Sequence, residues 1–257
     1  MVPAGGQNTT QDEFIGKIES VYAATGPFET THDRMIGLQS FYPENAEDKL
    51  SIIIWANGSK NSEVRYIELC RHLASWGFAV IIPDSTLSGS GEEILETIDY
   101  LIQENSNANS LFFGKLDLEQ IGVSGHALGA SSAINAASDP RIACVAPIAP
   151  APASVSNLIG PMFLVVAACQ STYSPEMVRH TIYSNSKVAT IFGTIINTKD
   201  ADFVPDGGKA KGYLTAWFRY LLQHDEKARK AFLEDCEICN NVNWQVERKR
   251  RTSSLTP

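Results

Sequence analysis

The stretch Gly122–Ser138, GVSGHALGASSAINAAS, decides the fold of this chain. Its first part completes the run LEQIGVSG, a short apolar segment of the kind that forms a buried strand. Its second part, ALGASSAINAAS, is rich in small residues and suits a helix pressed closely onto a sheet. Gly125 and Gly129 bracket His126, Ala127 and Leu128, so the chain is expected to turn sharply there from strand into helix.

The same alternation extends in both directions. KLSIIIWANG (49–58) is a β-branched run stopped by Asn-Gly, and FAVIIPD (78–84) is a second buried strand. Between them SEVRYIELCRHLASWG (62–77) carries apolar residues three and four apart and ends on Gly77, a helix that opens on Ser62. A Ser- and Gly-rich loop, STLSGSGEE, then leads into the helix EILETIDYLIQEN. Beyond the quoted stretch, IACVAPIAPAP, GPMFLVVAACQ and VATIFGTIIN read as buried strands. SPEMVRHTIYSNS reads as helical, and GYLTAWFRYLLQHDEKARKAFL as one or two closing helices. A further strand is expected near Phe14–Val21. Strands apolar on both faces, alternating with helices, predict an α/β fold with a mostly parallel twisted sheet covered by helices on both faces. One domain over residues 1–257 accommodates the pattern, with 1–35 as an N-terminal extension and 245–257 as a basic tail.

Composition narrows the partners. The chain has 257 residues, 44% of them apolar, enough for a full core. A net charge of −8 argues against nucleic acid and anionic membrane as main partners. The basic cluster ERKRRTSS is read as a solvated tail. No apolar run reaches the length of a membrane span. The opening MVPAGGQNTTQDEF lacks the layout of a signal peptide, which fits a protein kept inside the cell or a mature secreted form, and leaves the compartment open. Cys70, Cys144 and Cys169 lie in apolar contexts and read as free thiols, whereas Cys236 and Cys239 form C-x-x-C. A disulfide is the first expectation for that pair. Zinc would need two more ligands that no second cysteine or histidine cluster supplies, and a thioredoxin-type site would follow a strand. No metal or cofactor is expected.

These residues carry a family resemblance. The chain resembles the α/β-hydrolase superfamily, specifically the cutinase-like and polyester-hydrolase group with its chlorophyllase-like and dienelactone-hydrolase-like members, over about Phe41 to Trp244. IIIWANGS looks like the strand and turn that supply one oxyanion donor, LCRHLASWGFAVIIPD like the helix and strand after it, and GHALGASSAINAASDPRIACVAPIAP like the nucleophile elbow and the strand behind it. DGGKAKGYLTAWFRYLL resembles the final helix, and DCEICNNVNWQVERK the tail in which members commonly form a disulfide. The resemblance implies an esterase architecture, with G-x-S-x-G at the elbow and a Ser–His–Asp triad.

At those positions the sequence departs from the family. Ala127 stands where the resemblance places the nucleophile, Thr172 in QSTYSP where it places the acid, and Asp202, before Phe203 in TKDADFVPDGG, where it places the base. An engineered Ser→Ala change would leave the acid and base in place. With all three positions altered, the expectation is a chain without the triad. Among substitutes, Ser124, Ser131 and Ser132 read as packing residues, and Cys169 has no histidine at the matching base position. His72 and His224 read as structural, and His180, on the helix after the acid loop, is a minor candidate. The candidate catalytic residues are Asp202, either a desolvated carboxylate or a solvated loop residue beside Asp200 and Asp206, and His126, at the pocket wall. The oxyanion hole is backbone, expected from the N–H groups of Leu128 and Ser59, with Asn57, Gly58 and Tyr173 as binding residues.

Two functions follow from this reading. One is a non-hydrolytic enzyme, an isomerase, cyclase or lyase acting on a small carbonyl-bearing molecule; the other is a pseudoenzyme that binds such a molecule. The alternative is a serine esterase with a different nucleophile, or an inactivated form of one. The partner is a small molecule in each case, and oligomeric state is left open.

Overall fold

A computed structural model describes residues 17–57, 65–84, 89–169 and 171–249. In chain order the elements are α1 (Lys17–Ala23), β1 (Thr30–Met35), β2 (Leu38–Pro43), β3 (Leu50–Ala56), α2 (Ile67–Ser75), β4 (Phe78–Pro83), α3 (Glu92–Ser106), β5 (Leu116–His126) and α4 (Leu128–Ala136). There follow β6 (Ile142–Ile148), β7 (Met162–Cys169), α5 (Pro175–Val178), β8 (Thr190–Lys199), α6 (Lys211–Gln223), α7 (Glu226–Arg229), α8 (Glu237–Asn240) and β9 (Trp244–Lys249). The strands form one sheet in the order β1-β2-β4-β3-β5-β6-β7-β8-β9. The six strands from β4 to β8 are parallel; β1, β2 and β9 are antiparallel additions at the edges.

Alternation along β3 divides the core. Ile53 and Trp55 meet Leu69 and Leu73 of α2 and Leu214 and Trp217 of α6 on one face. Ile52 and Ile54 meet Ile94 and Ile98 of α3 and Ala133 of α4 on the other. Every residue of β3 and β4 is buried, which is why both read as unbroken apolar runs. The fold class expected from the sequence is the one observed.

Several local expectations differ from the structure. Residues 17–23 are helical where a strand was expected near Phe14–Val21; Phe14–Gly16 lie outside the described residues. Ile18, Val21 and Tyr22 fall on one face and pack against the core, a helical spacing. The backbone N–H groups of Ile18 and Glu19 donate to the Glu237 carboxylate at 2.8 and 2.9 Å, which caps α1 from 219 and 218 residues away. α2 begins at Ile67 after Tyr66, which makes no side-chain cap; Ser62 lies outside the described residues. The β1–β2 hairpin went unread because β1 is a charged, half-exposed edge. Part of the expected basic tail is likewise a strand: β9 pairs with β8, with Trp244 buried and Val246 packed on the core.

Cys236 and Cys239 form a disulfide, while Cys70 and Cys144 are free and buried and Cys169 is free and exposed. Glu237, inside the disulfide loop, also accepts from the Tyr213 hydroxyl at 3.1 Å. Asn241 donates to Glu19 at 2.6 Å.

Candidate functional site

The turn between β5 and α4 lies at the carboxyl ends of the parallel strands, where open α/β sheets place their ligands. Ala127 occupies it with φ 54° and ψ −115°, a conformation that costs an L-residue of order 1–3 kcal/mol and persists only where the surroundings impose it. The surroundings here are the backbone of β3. A Cβ on Gly125 would lie 2.6 Å from Gly129 and 2.7 Å from the Ala56 oxygen, and a Cβ on Gly129 would overlap that same oxygen. Only glycine at both positions lets α4 start this close to β3. α4 has no side-chain cap, so the N–H groups of its first turn remain available at the elbow, with the helix dipole behind them. Leu128, the first residue of α4, is 41% exposed and presents an apolar side chain beside them.

His126 precedes the turn. Its Nδ1 lies 2.6 Å from the Tyr66 hydroxyl, its ring centroid is 5.6 Å from that of Phe203, and Tyr66 in turn packs against Trp55 at 4.8 Å. Burial pulls the imidazole below the usual histidine range and Arg65 adds to the effect, while the Asp200 carboxylate opposes it. The Tyr66 hydroxyl is pushed up, chiefly by burial. Among the described residues, His126 Nε2 is buried without a hydrogen-bond partner, as are Trp55 Nε1 and Asn57 Oδ1. Asn57 itself is buried, and its Nδ2 donates to the Pro83 carbonyl at 3.1 Å.

The loops after β7 and β8 arrive at the same end of the sheet. Asp200 joins them: it accepts from Ser171 Oγ at 3.0 Å and from the Thr172 N–H at 2.8 Å. Thr172 is exposed, and Tyr173 is half-buried with its carbonyl accepting from Ser171 Oγ at 2.7 Å. Asp202 is also exposed. Its carboxylate accepts from the Lys199 N–H at 2.8 Å and closes a short 3-10 turn, Asp200–Phe203. The apolar surroundings expected for Asp202 are therefore missing, because Phe203 turns into the core and leaves its neighbour in water. Gly58 and Ser59 lie outside the described residues.

The remaining candidates hold the framework. Ser124 donates to the Ala146 carbonyl at 2.6 Å, and Ser131 to the Ala151 carbonyl at 3.0 Å. Ser132 Oγ accepts from the Gly89 N–H at 2.7 Å. His72 bonds the Tyr22 carbonyl and Thr215, and burial lowers it to about 4. His180 is exposed beside Glu176, and His224 ends α6 in a left-handed conformation. Among the described residues no group of three or more His, Cys, Asp or Glu could hold a metal ion, and no helix is long and apolar enough to cross a membrane. A cavity of about 530 Å³, lined in part by Phe28, Lys49, Ser51 and Arg219, opens at the start of β3, the end of the sheet away from the elbow.

Two residues of this site had no readable signal. Tyr66 lies sixty positions from His126 inside a segment read as helix, and nothing local marks the pair. Asp200 sits two residues before Asp202 in KDADF, and nothing in that local pattern shows which of the two carboxylates reaches the loop after β7.

No curated protein matches the chain. Residues 15–254 match the sequence model of the family described as PETase, PET hydrolase-like. That span takes in the elbow, both loops and the disulfide, and with the mostly parallel sheet it places the chain in the PET hydrolase-like family, an α/β-hydrolase-type family.

Proposed function

We propose that the cleft at the β5–α4 turn binds a small carbonyl-bearing molecule without hydrolysing esters through a Ser–His–Asp triad. The observation that supports this is Ala127: the strained elbow backbone is kept, but the side chain it displays is a methyl group. The turn still offers what an oxyanion hole needs, the Leu128 N–H at the start of an uncapped helix, which favours negative charge on a bound carbonyl oxygen. Thr172 and Asp202, both exposed, stand where the family resemblance places acid and base. The protein then acts as a ligand-binding pseudoenzyme or as a non-hydrolytic enzyme working by polarisation and orientation of the carbonyl.

The test is hydrolysis of p-nitrophenyl butyrate by the purified protein beside the Ala127→Ser/Thr172→Asp/Asp202→His variant. The native protein is expected to match the buffer rate. Protein-dependent turnover by the native chain overturns the reading.

A second reading keeps the family's chemistry. Ser171 Oγ lies 3.0 Å from Asp200 Oδ1, a hydroxyl–carboxylate contact at the mouth of the site, and would serve as the nucleophile of an esterase. Native turnover that disappears in Ser171→Ala would select it.

A further inference from the structure

Helix α1 is held at its two ends by different means. Its last turn and the residue after it are tied into the body of the fold. The Tyr22 hydroxyl donates to Asp225 at 2.8 Å, His72 Nε2 donates to the Tyr22 carbonyl at 2.9 Å, and Trp76 Nε1 donates to the Ala24 carbonyl at 3.0 Å. Among the described residues, the first turn takes its tertiary hydrogen bonds from the C-x-x-C segment and the residues just after it. The Glu237 carboxylate accepts from the Ile18 and Glu19 N–H groups and from the Tyr213 hydroxyl, and Asn241 Nδ2 donates to the Glu19 carboxylate. This corner is not held by opposite charge. Glu19 is pushed up, by burial first and in part by the Glu237 carboxylate beside it, against the opposing pull of Asn241. Helix α8, which carries Glu237, has four residues, too few to persist on helical propensity alone. Ile238 anchors it in the core, and the Cys236–Cys239 disulfide closes it. Glu234 and Cys236 stand at φ 55° and 44°, left-handed conformations that an L-residue keeps only under constraint. The crosslink has a sequence separation of 3, so it takes little freedom from the unfolded chain; what it fixes is the local path that presents Glu237.

We propose that Cys236–Cys239 is a site of thiol–disulfide exchange, a redox latch whose opening by a dithiol frees the Glu237 carboxylate and, with it, the first turn of α1. The two cysteines differ in access: Cys239 is exposed, whereas Cys236 is 3% exposed. A thiolate of the dithiol attacks Cys239 Sγ, the S–S bond breaks, and its electron pair leaves on Cys236 Sγ, which takes up a proton. The second thiolate of the reductant then attacks the reductant's own sulfur in the mixed disulfide, and Cys239 leaves as a thiolate that is protonated in turn. Two electrons and two protons pass to the protein, and the dithiol ends as a disulfide. With the crosslink open, Cys236 can leave its left-handed conformation and α8 loses its closure. Glu237, repelled by Glu19, then moves off, and the Ile18 and Glu19 N–H groups turn to water. The bonds from Asp225, His72 and Trp76 stay in place, so one end of the helix is released and the other is not. Nothing in this depends on what the cleft binds.

The test uses the full chain, folded, in excess dithiothreitol. After quenching and labelling in denaturant, the treated protein is expected to carry two more maleimide groups than the untreated protein, those of Cys236 and Cys239. Amide exchange followed by NMR is expected to be about tenfold faster at Ile18 and Glu19 in the reduced protein, and unchanged at Tyr22 and in β3. Glu237→Ala is expected to give the same acceleration in the oxidised protein, after which reduction adds nothing at these two amides. Cys236→Ser/Cys239→Ser is expected to match the reduced form and to ignore dithiothreitol; should it misfold, the reduced native protein and Glu237→Ala decide. A pair that stays oxidised in excess dithiol overturns the exchange. A reduced pair with Ile18 and Glu19 still protected overturns the latch. Exchange that rises equally across α1 and β3 overturns it too, because the disulfide is then a staple of the whole fold.

Discussion

The β5–α4 turn and the loops after β7 and β8 converge at one end of the sheet, but different forces hold them. The turn is fixed by main chain against main chain. Gly125 and Gly129 lie so close to Ala56 that neither tolerates a Cβ, and Ala127 is held in a conformation it would not choose alone. The two loops are tied by side chains at the surface, chiefly the Asp200 carboxylate on Ser171 and Thr172 and the Asp202 carboxylate on Lys199. A turn held by backbone keeps its shape whatever side chain it displays, whereas a loop tied by polar side chains is re-formed by single substitutions. That contrast lets the turn keep its shape with a methyl group at Ala127 while the loops beside it stay open to change.

The largest effect expected from breaking the comparison is at Gly129. Gly129→Ala forces α4 away from β3 and is expected to cost about 3 kcal/mol or more, read as a loss in the urea midpoint at unchanged slope. A cost below 1 kcal/mol would mean that the turn is not held by backbone contact. Acid distinguishes the buried framework next. His72 is lowered to about 4 in the folded chain against about 6.5 unfolded, so below pH 6.5 the unfolded chain binds the extra proton. Stability is therefore complete above pH 6.5 and declines as pH falls towards 4, by about 2 kcal/mol after allowing for the part of the ring that solvent reaches. Denaturation from pH 7 to 4.5 checks this, and His72→Gln is expected to remove most of the slope.

The loops should respond more weakly. Asp200→Ala leaves Ser171 Oγ and the Thr172 N–H without their acceptor, but water can replace it at these part-exposed groups. The expected loss is about 1 kcal/mol, together with faster amide exchange at Thr172. Equal protection in the variant would show that another contact holds the loop. Smallest and opposite in sign is Ala127→Gly. It relieves the positive-φ strain while adding freedom to the unfolded chain, for a net gain of about 0.5–1 kcal/mol in the unfolding free energy. A loss there would mean that the methyl group packs more than it strains.

The same contrast explains what was legible in the sequence. Main-chain constraints leave marks in composition: glycines at 125 and 129, β-branched runs in β3 and β4, and small residues in α4, so the parallel sheet and the elbow were readable. Edge strands carry weaker marks. β1 is charged and half-exposed, and β9 reads as a basic segment with one buried tryptophan. Long-range side-chain pairings leave no mark: neither Tyr66 with His126 nor Asp200 with Thr172 has a local pattern. Asp202 kept two readings in the sequence because adjacency to a buried phenylalanine says nothing about which way a carboxylate turns, and its exposure fits the solvated one.

The cap that Glu237 places on α1 has a consequence for how the protein is made. The first helix is synthesised more than two hundred residues before the group that satisfies its leading N–H donors. While the chain is still emerging from a ribosome, α1 can neither be capped nor rest against a finished α6. Helix α1 is thus among the last of the described elements to settle, and a nascent chain halted before α6 is complete leaves Ile18, Val21 and Tyr22 without the surface they pack on.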